Sequence, residues 1–143
     1  MPVRVRRVVA DLLAAVIDTH ALIYHSTGAR RLGPAGRRLF QRAEERQAVL
    51  HVPAAVIWEM AFLARSRRVD LRRSVRDYFD DLFSNPSFHP HDLDARQVLA
   101  AADWLQFRDP FDALICASAA ELSLPLITRD AVIAESGLVR TVW

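Results

Sequence analysis

Four carboxylates are embedded in apolar stretches of this chain. They are Asp18 in Ala15-Val-Ile-Asp-Thr-His-Ala-Leu-Ile23, Glu59 in Pro53-Ala-Ala-Val-Ile-Trp-Glu-Met60, Asp112 in Asp109-Pro-Phe-Asp-Ala-Leu-Ile115, and Asp130 in Leu126-Ile-Thr-Arg-Asp130. A carboxylate among apolar neighbours is costly to keep ionised unless something positive compensates it. Four oxygen-donor acids that come together would ask for a hard divalent cation such as Mg²⁺ or Mn²⁺. The chemistry such a cation serves is activation of water and neutralisation of charge at a phosphate.

Each acid also has a structural explanation. Asp18 closes an apolar run and precedes Thr19-His20-Ala21-Leu22, so it serves equally well as a helix N-cap, and Asp130 has the same ambiguity. In Asp109-Pro110-Phe111-Asp112, an Asp at N-cap, Pro at N1 and an acid at N3 form a strong helix start, which makes Asp109 structural and puts Asp112 one turn inside, beside Ile115 and Cys116. Glu59 is the least explained by structure. On a helix starting near Pro53 its surface neighbours are Ala55, Val56, Phe62 and Leu63, all apolar, so it needs either a buried arginine or a metal. His89-Pro90-His91 imitates a metal pair but lacks a third ligand in sequence, and reads as loop. His20 either touches substrate or packs on the first helix. Six arginines from Arg65 to Arg76 form either a solvated basic face or a surface for phosphates or an acidic partner segment.

The elements that must position these acids alternate between short apolar runs and amphipathic helices, the pattern of βαβ units around a parallel sheet. Strands are expected at Ala14 to Ile17, Ala48 to Val52, Leu124 to Ile127 and Val139 to Val142, with a weaker one near Ser87 to His89. A helix over Gly36 to Gln47 gathers Leu39, Phe40 and Ala43 on one face. A second, from Arg72, gathers Val75, Tyr78, Phe79, Leu82 and Phe83. A third gathers Ala95, Val98, Leu99, Ala102 and Leu105. All three stripes are expected to face the core.

With 143 residues, 52% hydrophobic and 25% charged, the chain is one ordinary globular domain. Its most apolar early stretch, Val8 to Ile17, carries Asp11 and is about half a membrane span in length. A cytoplasmic protein without membrane contact is expected, although Arg4, Arg6 and Arg7 imitate a signal peptide's charged start. The one cysteine, Cys116, makes no internal disulfide and reads as a small buried hydrophobe. All 19 basic residues are arginine, which offers bidentate phosphate donors and excludes P-loop chemistry, where a lysine is required. Residues 1–13 stand before the first strand as an N-terminal extension, and 14–143 form the domain.

In open α/β sheets ligands bind beyond the carboxyl ends of the strands. Asp18 and Asp130 follow two such ends, Glu59 follows a third by a turn or so of helix, and Asp112 lies at a helix start, so one cluster is natural. These motifs, in this order, resemble the PIN-domain ribonucleases of the VapC toxin type. The carriers are Ile17-Asp-Thr-His-Ala-Leu-Ile23, Trp58-Glu59, Asp109-Pro-Phe-Asp-Ala-Leu-Ile115 with Ala117 and Ala119, and Leu126-Ile-Thr-Arg-Asp130. The resemblance implies a three-layer α/β/α sandwich with a short parallel sheet. It implies a Mg²⁺- or Mn²⁺-dependent endoribonuclease with Asp18, Glu59, Asp112 and Asp130 as catalytic and metal-binding residues, and Asp109 and Thr128 in support. Its partners would be RNA, a cognate antitoxin and a second copy in a homodimer. Pro53-Ala54-Ala55 stands where many relatives carry serines, and the extension before Ala14 is atypical of them.

Overall fold

The computed structural model describes residues 13–104 and 108–143. Its centre is a run of four apolar residues, β1 (Ala14–Ile17), followed by α1 (Thr19–Thr27), α2 (Pro34–Glu44), β2 (Val49–Pro53), α3 (Ala54–Arg65), α4 (Val75–Ser84), β3 (Phe88–His91), α5 (Ala95–Ala102), α6 (Pro110–Leu122), β4 (Leu126–Ile127), α7 (Ala131–Ser136) and β5 (Thr141–Val142). All five strands are parallel, in the order β3-β2-β1-β4-β5. A central parallel strand is covered on both faces, which is why β1 reads as continuous apolar sequence, with Ala15, Val16 and Ile17 all fully buried. Pro90, which cannot donate to a ladder, sits on the edge strand β3.

Register separates the two faces. Ile17 stands opposite Ile127, and Leu50 opposite Phe88. Against this face lie α1 and α2, with Gly36 close over Ile127 and the rings of His25 and Phe40 stacked 4.3 Å apart. Val16 and His51 point the other way, where α5 and α6 lie. Helices on both faces of one sheet make the three-layer α/β/α sandwich. The stripes on α2 and α4 face the core as their periodicity predicts: Leu39, Phe40, Ala43, Tyr78 and Phe79 are buried, and Val75, Leu82 and Phe83 pack against them.

Two expectations are corrected. His89-Pro90-His91 is strand, not loop, and pairs with β2, where His51 lies beside both histidines with ring centroids at 5.8 and 6.4 Å. A lone proline misleads only when the strand is assumed to be internal. The stripe of α5 is not core: Val98 is 45% and Leu99 71% exposed, Ala95 and Ala102 are also exposed, and Leu105 lies outside the described residues. The buried side is Gln97 and Ala101. The Gln97 amide donates to Asp92 O at 3.1 Å and accepts from the Ser118 hydroxyl at 3.5 Å. That polar seam against α6 fixes the helix's rotation, and periodicity alone cannot register it. The extension before Leu13 also lies outside the described residues.

Cys116 is fully buried, with its thiol pushed up to about 12, first by burial and then by nearby carboxylates. Among the described residues no helix is long and apolar enough to cross a membrane.

The reversed rotation of α5 is measurable. Leu99→Ser should change unfolding free energy by no more than about 0.5 kcal/mol in urea denaturation, whereas Leu50→Ala should cost about 2–5 kcal/mol. A cost for Leu99→Ser in the core range would restore the stripe to the interior.

Candidate active site

The strand order reverses direction between β1 and β4: the chain adds β2 and β3 on one side of β1, then returns to add β4 and β5 on the other. At such a switch point the loops leaving neighbouring strands part and open a crevice beyond the carboxyl ends. Asp18 leaves β1 there and Thr128-Arg129-Asp130 leaves β4. The α3 and α6 helices bring Glu59 and Asp112 to the same place. Asp18, Glu59, Asp109, Asp112, Thr128 and Asp130 all line one cavity of about 600 Å³.

Local structure fixes each acid. Asp18, 6% exposed, caps α1: its Oδ1 accepts from the Thr19 backbone N–H at 2.8 Å. Its Oδ2 accepts from the Thr128 hydroxyl at 2.7 Å. That hydroxyl in turn accepts from the Asp130 backbone N–H at 3.1 Å. Asp130 caps α7 through Oδ1, accepting from the N–H groups of Val132 at 2.8 Å and Ile133 at 3.2 Å. Asp109 caps α6 by accepting from the Phe111 N–H at 2.9 Å, as its sequence signature predicts.

Glu59, 8% exposed, is held by neither an arginine nor any other cation among the described residues. Its Oε1 accepts from the Thr19 hydroxyl at 2.5 Å. Thr19 is thus a site residue that sequence reasoning passed over: its backbone serves Asp18 and its side chain serves Glu59. The available signal was a threonine directly after the capping aspartate. Asp112 has no side-chain hydrogen bond or ion pair among the described residues.

No arginine pairs with these acids among the described residues, and His20 offsets the charge of Asp18 and Glu59 only in part. Burial, and then the charges of Asp18, Asp109, Asp130 and Glu59, push Asp112 up from 3.8 to about 7. Burial raises Asp18, against the opposing effect of its Thr128 and Thr19 hydrogen bonds. Burial raises Glu59 too, with Thr19 opposing and Asp109 and Asp18 adding to the rise. Among the described residues no three His, Cys, Asp or Glu stand close enough to grip an ion directly. The donor set nevertheless fits a hard cation that keeps several waters between itself and its carboxylates. Among the described residues the His51, His89 and His91 trio does not converge as a metal site either.

Residues 15–137 match the family model of the PIN domain. The chain belongs to the PIN domain family. PIN domains are generally nucleases, and generally use divalent metal ions. The PIN fold here is similar to a chain in the crystal structure of VapBC2 from Rickettsia felis bound to a DNA fragment from their promoter, with TM-score 0.67 and 12% identity over 90% of this chain and 97% of that one. It is similar to a chain of a toxin-antitoxin complex from Klebsiella pneumoniae, with TM-score 0.60 and 20% identity over 90% and 96%. A chain of FitAB bound to the IR36 DNA fragment gives TM-score 0.54 and 17% identity over 90% and 93%. Among curated proteins none matches significantly.

Besides the small apolar Ala21, Ala131 and Val132, the cavity wall carries His20, Tyr24, Arg108, Arg129 and Trp143. Of these only His20 stood out in the sequence. The arginines from Arg65 to Arg76 do not reach this cavity. Arg68, Arg72 and Arg73 line a separate hollow of about 760 Å³ with Glu44, Asp70 and Asp81.

The raised Asp112 carboxyl sets a pH dependence. Between 3.8 and about 7 the unfolded chain has released a proton that the folded chain keeps, so stability falls as pH rises through this window, and the whole cost is present above it. In EDTA, Asp112→Asn should therefore raise the melting temperature at pH above about 7 and flatten its dependence across the window. A variant that melts lower at neutral pH would show that the charge stabilises the fold. Thr128→Val, which strips a partner from both Asp18 and the Asp130 N–H, should instead lose about 1–3 kcal/mol at neutral pH in urea denaturation.

Proposed function

We propose that this chain is a divalent-metal-dependent endoribonuclease, the toxin of a toxin-antitoxin pair. The observation that carries the nuclease reading is the gathering of Asp18, Glu59, Asp112 and Asp130, from four separate segments, into one cavity at the switch point of a PIN fold. Support for the toxin role is the likeness of fold to chains solved within VapBC2, FitAB and a Klebsiella pneumoniae toxin-antitoxin complex, and the order of motifs in the sequence.

In this reading Asp18, Asp112 and Asp130 hold Mg²⁺ or Mn²⁺, directly or through water, and Glu59 is a further ligand or orients the attacking water. The bound cation would lower the pKa of water and neutralise charge at the scissile phosphate. The chain's own contribution is rigidity. Thr128 fixes the Asp18 carboxylate, Thr19 fixes Glu59, and helix caps fix Asp109 and Asp130, so these four need little reordering when substrate arrives. No side chain is required as a covalent nucleophile, and the products carry a 5′ phosphate and a 3′ hydroxyl. The protein acts in the cytoplasm as a homodimer, restrained by a cognate antitoxin that places a basic group in the acidic cavity.

The experiment is RNA-end sequencing after brief expression of the wild type and of Asp18→Asn. New 5′-phosphate ends that appear with the first and vanish with the second carry the reading. Purified protein should gain melting temperature with millimolar Mg²⁺ or Mn²⁺ by mass action, and cleave RNA until EDTA is added. Activity that survives EDTA, in a protein indifferent to either ion, would sink the metal role. Asp109→Asn should keep partial activity, because Asn caps nearly as well, while Asp112→Asn should keep none. Equal total loss would place Asp109 among the metal ligands.

A further inference from the structure

Besides its acids the cavity is lined by cationic and aromatic side chains, and several of these are tied together. The Arg129 Nη2 donates to the Tyr24 hydroxyl at 2.6 Å, and the guanidinium lies 4.9 Å from the Tyr24 ring centroid and 6.0 Å from that of Trp143. The Tyr24 and Trp143 rings meet edge to face at 6.1 Å. Arg31 covers Tyr24 at 5.5 Å. Arg129 is exposed and forms no ion pair among the described residues, so most of its five N–H donors face solvent or ligand.

Trp143 is anchored, not draped. Its carbonyl accepts from the Ala35 N–H at 3.0 Å, and the carbonyl of the preceding Val142 accepts from the Thr128 N–H, also at 3.0 Å. Gly33 lies directly beneath it. A Cβ at position 33 would stand 2.4 Å from the Trp143 carbonyl carbon and 2.6 Å from Cδ1 of its ring, so glycine is needed for the indole to sit there. A large aromatic is thus held, half-buried, on the rim of a carboxylate-lined cavity and next to the Arg129 guanidinium.

A polyanion entering this cavity meets carboxylates and needs a positive or aromatic grip beside them. We propose that Trp143 and Arg129 form a substrate-positioning wall, on which one unpaired base of a single-stranded RNA stacks against the indole while Arg129 holds an adjacent phosphate. The proposal rests on the nuclease reading above. Single strands fit because a base inside a duplex has both faces stacked on its neighbours, whereas an unstacked base offers one. Stacking on an aromatic side chain contributes about 1–3 kcal/mol per base, and a guanidinium holds phosphate through paired N–H donors. Tyr24 is then a positioning residue that orients Arg129 through its hydroxyl.

The test uses the full chain carrying Asp112→Asn, so that RNA is bound and not cut, with a short fluorescein-labelled single-stranded RNA of randomised sequence as probe. By fluorescence anisotropy, adding Trp143→Leu, which keeps apolar bulk but has no π-face, should weaken binding roughly tenfold, and Trp143→Phe should stay close to the parent. Arg129→Gln should weaken binding and lower the salt slope by about 0.7. In otherwise wild-type protein, Trp143→Leu should raise KM more than it lowers kcat. If the wild type cleaves RNA while Trp143→Leu binds and cleaves as it does, the wall is wrong and the nuclease reading stands. Equal losses for Phe and Leu would make Trp143 structural and overturn the proposal. So would an effect on a co-expressed protein partner with RNA binding unchanged. A wild type that cleaves no RNA under any divalent ion overturns the nuclease reading itself.

Discussion

The Thr128 hydroxyl is the joint on which this site depends. It donates to Asp18 at 2.7 Å and accepts from the Asp130 backbone N–H at 3.1 Å, bridging the loops that leave β1 and β4. Those two strands are hydrogen-bonded neighbours through Val16 opposite Leu126 and Ile17 opposite Ile127, but beyond their ends the chain turns to opposite sides. Without a bridge the crevice between them would hold two acids pushed apart by their own charge. A neutral hydroxyl, 4% exposed with its residue, holds them together without cancelling either charge. An arginine in its place would have compensated the acids and left nothing for a cation to do.

Capping and chemistry are consequently not rival explanations of these carboxylates. Asp18 and Asp130 each cap a helix through Oδ1. The hydrogen bonds that satisfy helix N-termini also fix the rotamers of the acids that line the cavity. Asp112 differs, since it has no such partner among the described residues, and burial together with the neighbouring acids pushes its carboxyl up to about 7. A carboxyl raised this far with no structural employment has the pattern of a functional group and not of a stabilising one.

The sequence made the sheet legible because β1 is buried on both faces and reads as an apolar run, and it made the acids legible because an acid in such a run stands out. What it hid lies in relations across the chain. Thr19 reaches Glu59 over forty positions, and a lone threonine after an aspartate gives no hint of that partner. The rotation of α5 turned on Gln97 finding an amide seam with Ser118, so an apolar stripe that would ordinarily face inward was left outside. The third histidine beside His89 and His91 comes from β2, joined to them only by strand register. Trp143 enters the site because Gly33 makes room for it.

A chain whose basic residues outnumber its acids by two, all of them arginines, has placed none of them in an ion pair with the four central carboxylates among the described residues. Arg108 and Arg129 stop at the cavity's wall. The surface thus attracts a polyanion that the centre, taken alone, repels. In the function proposed above, a divalent cation at the centre would reconcile the two tendencies, since its charge would both relieve Asp112 and offset that of a phosphate. On that proposal metal and nucleic acid should bind cooperatively, each lowering the cost of the other. A basic side chain from a partner protein would satisfy the acids as the cation does, while taking the place that substrate needs.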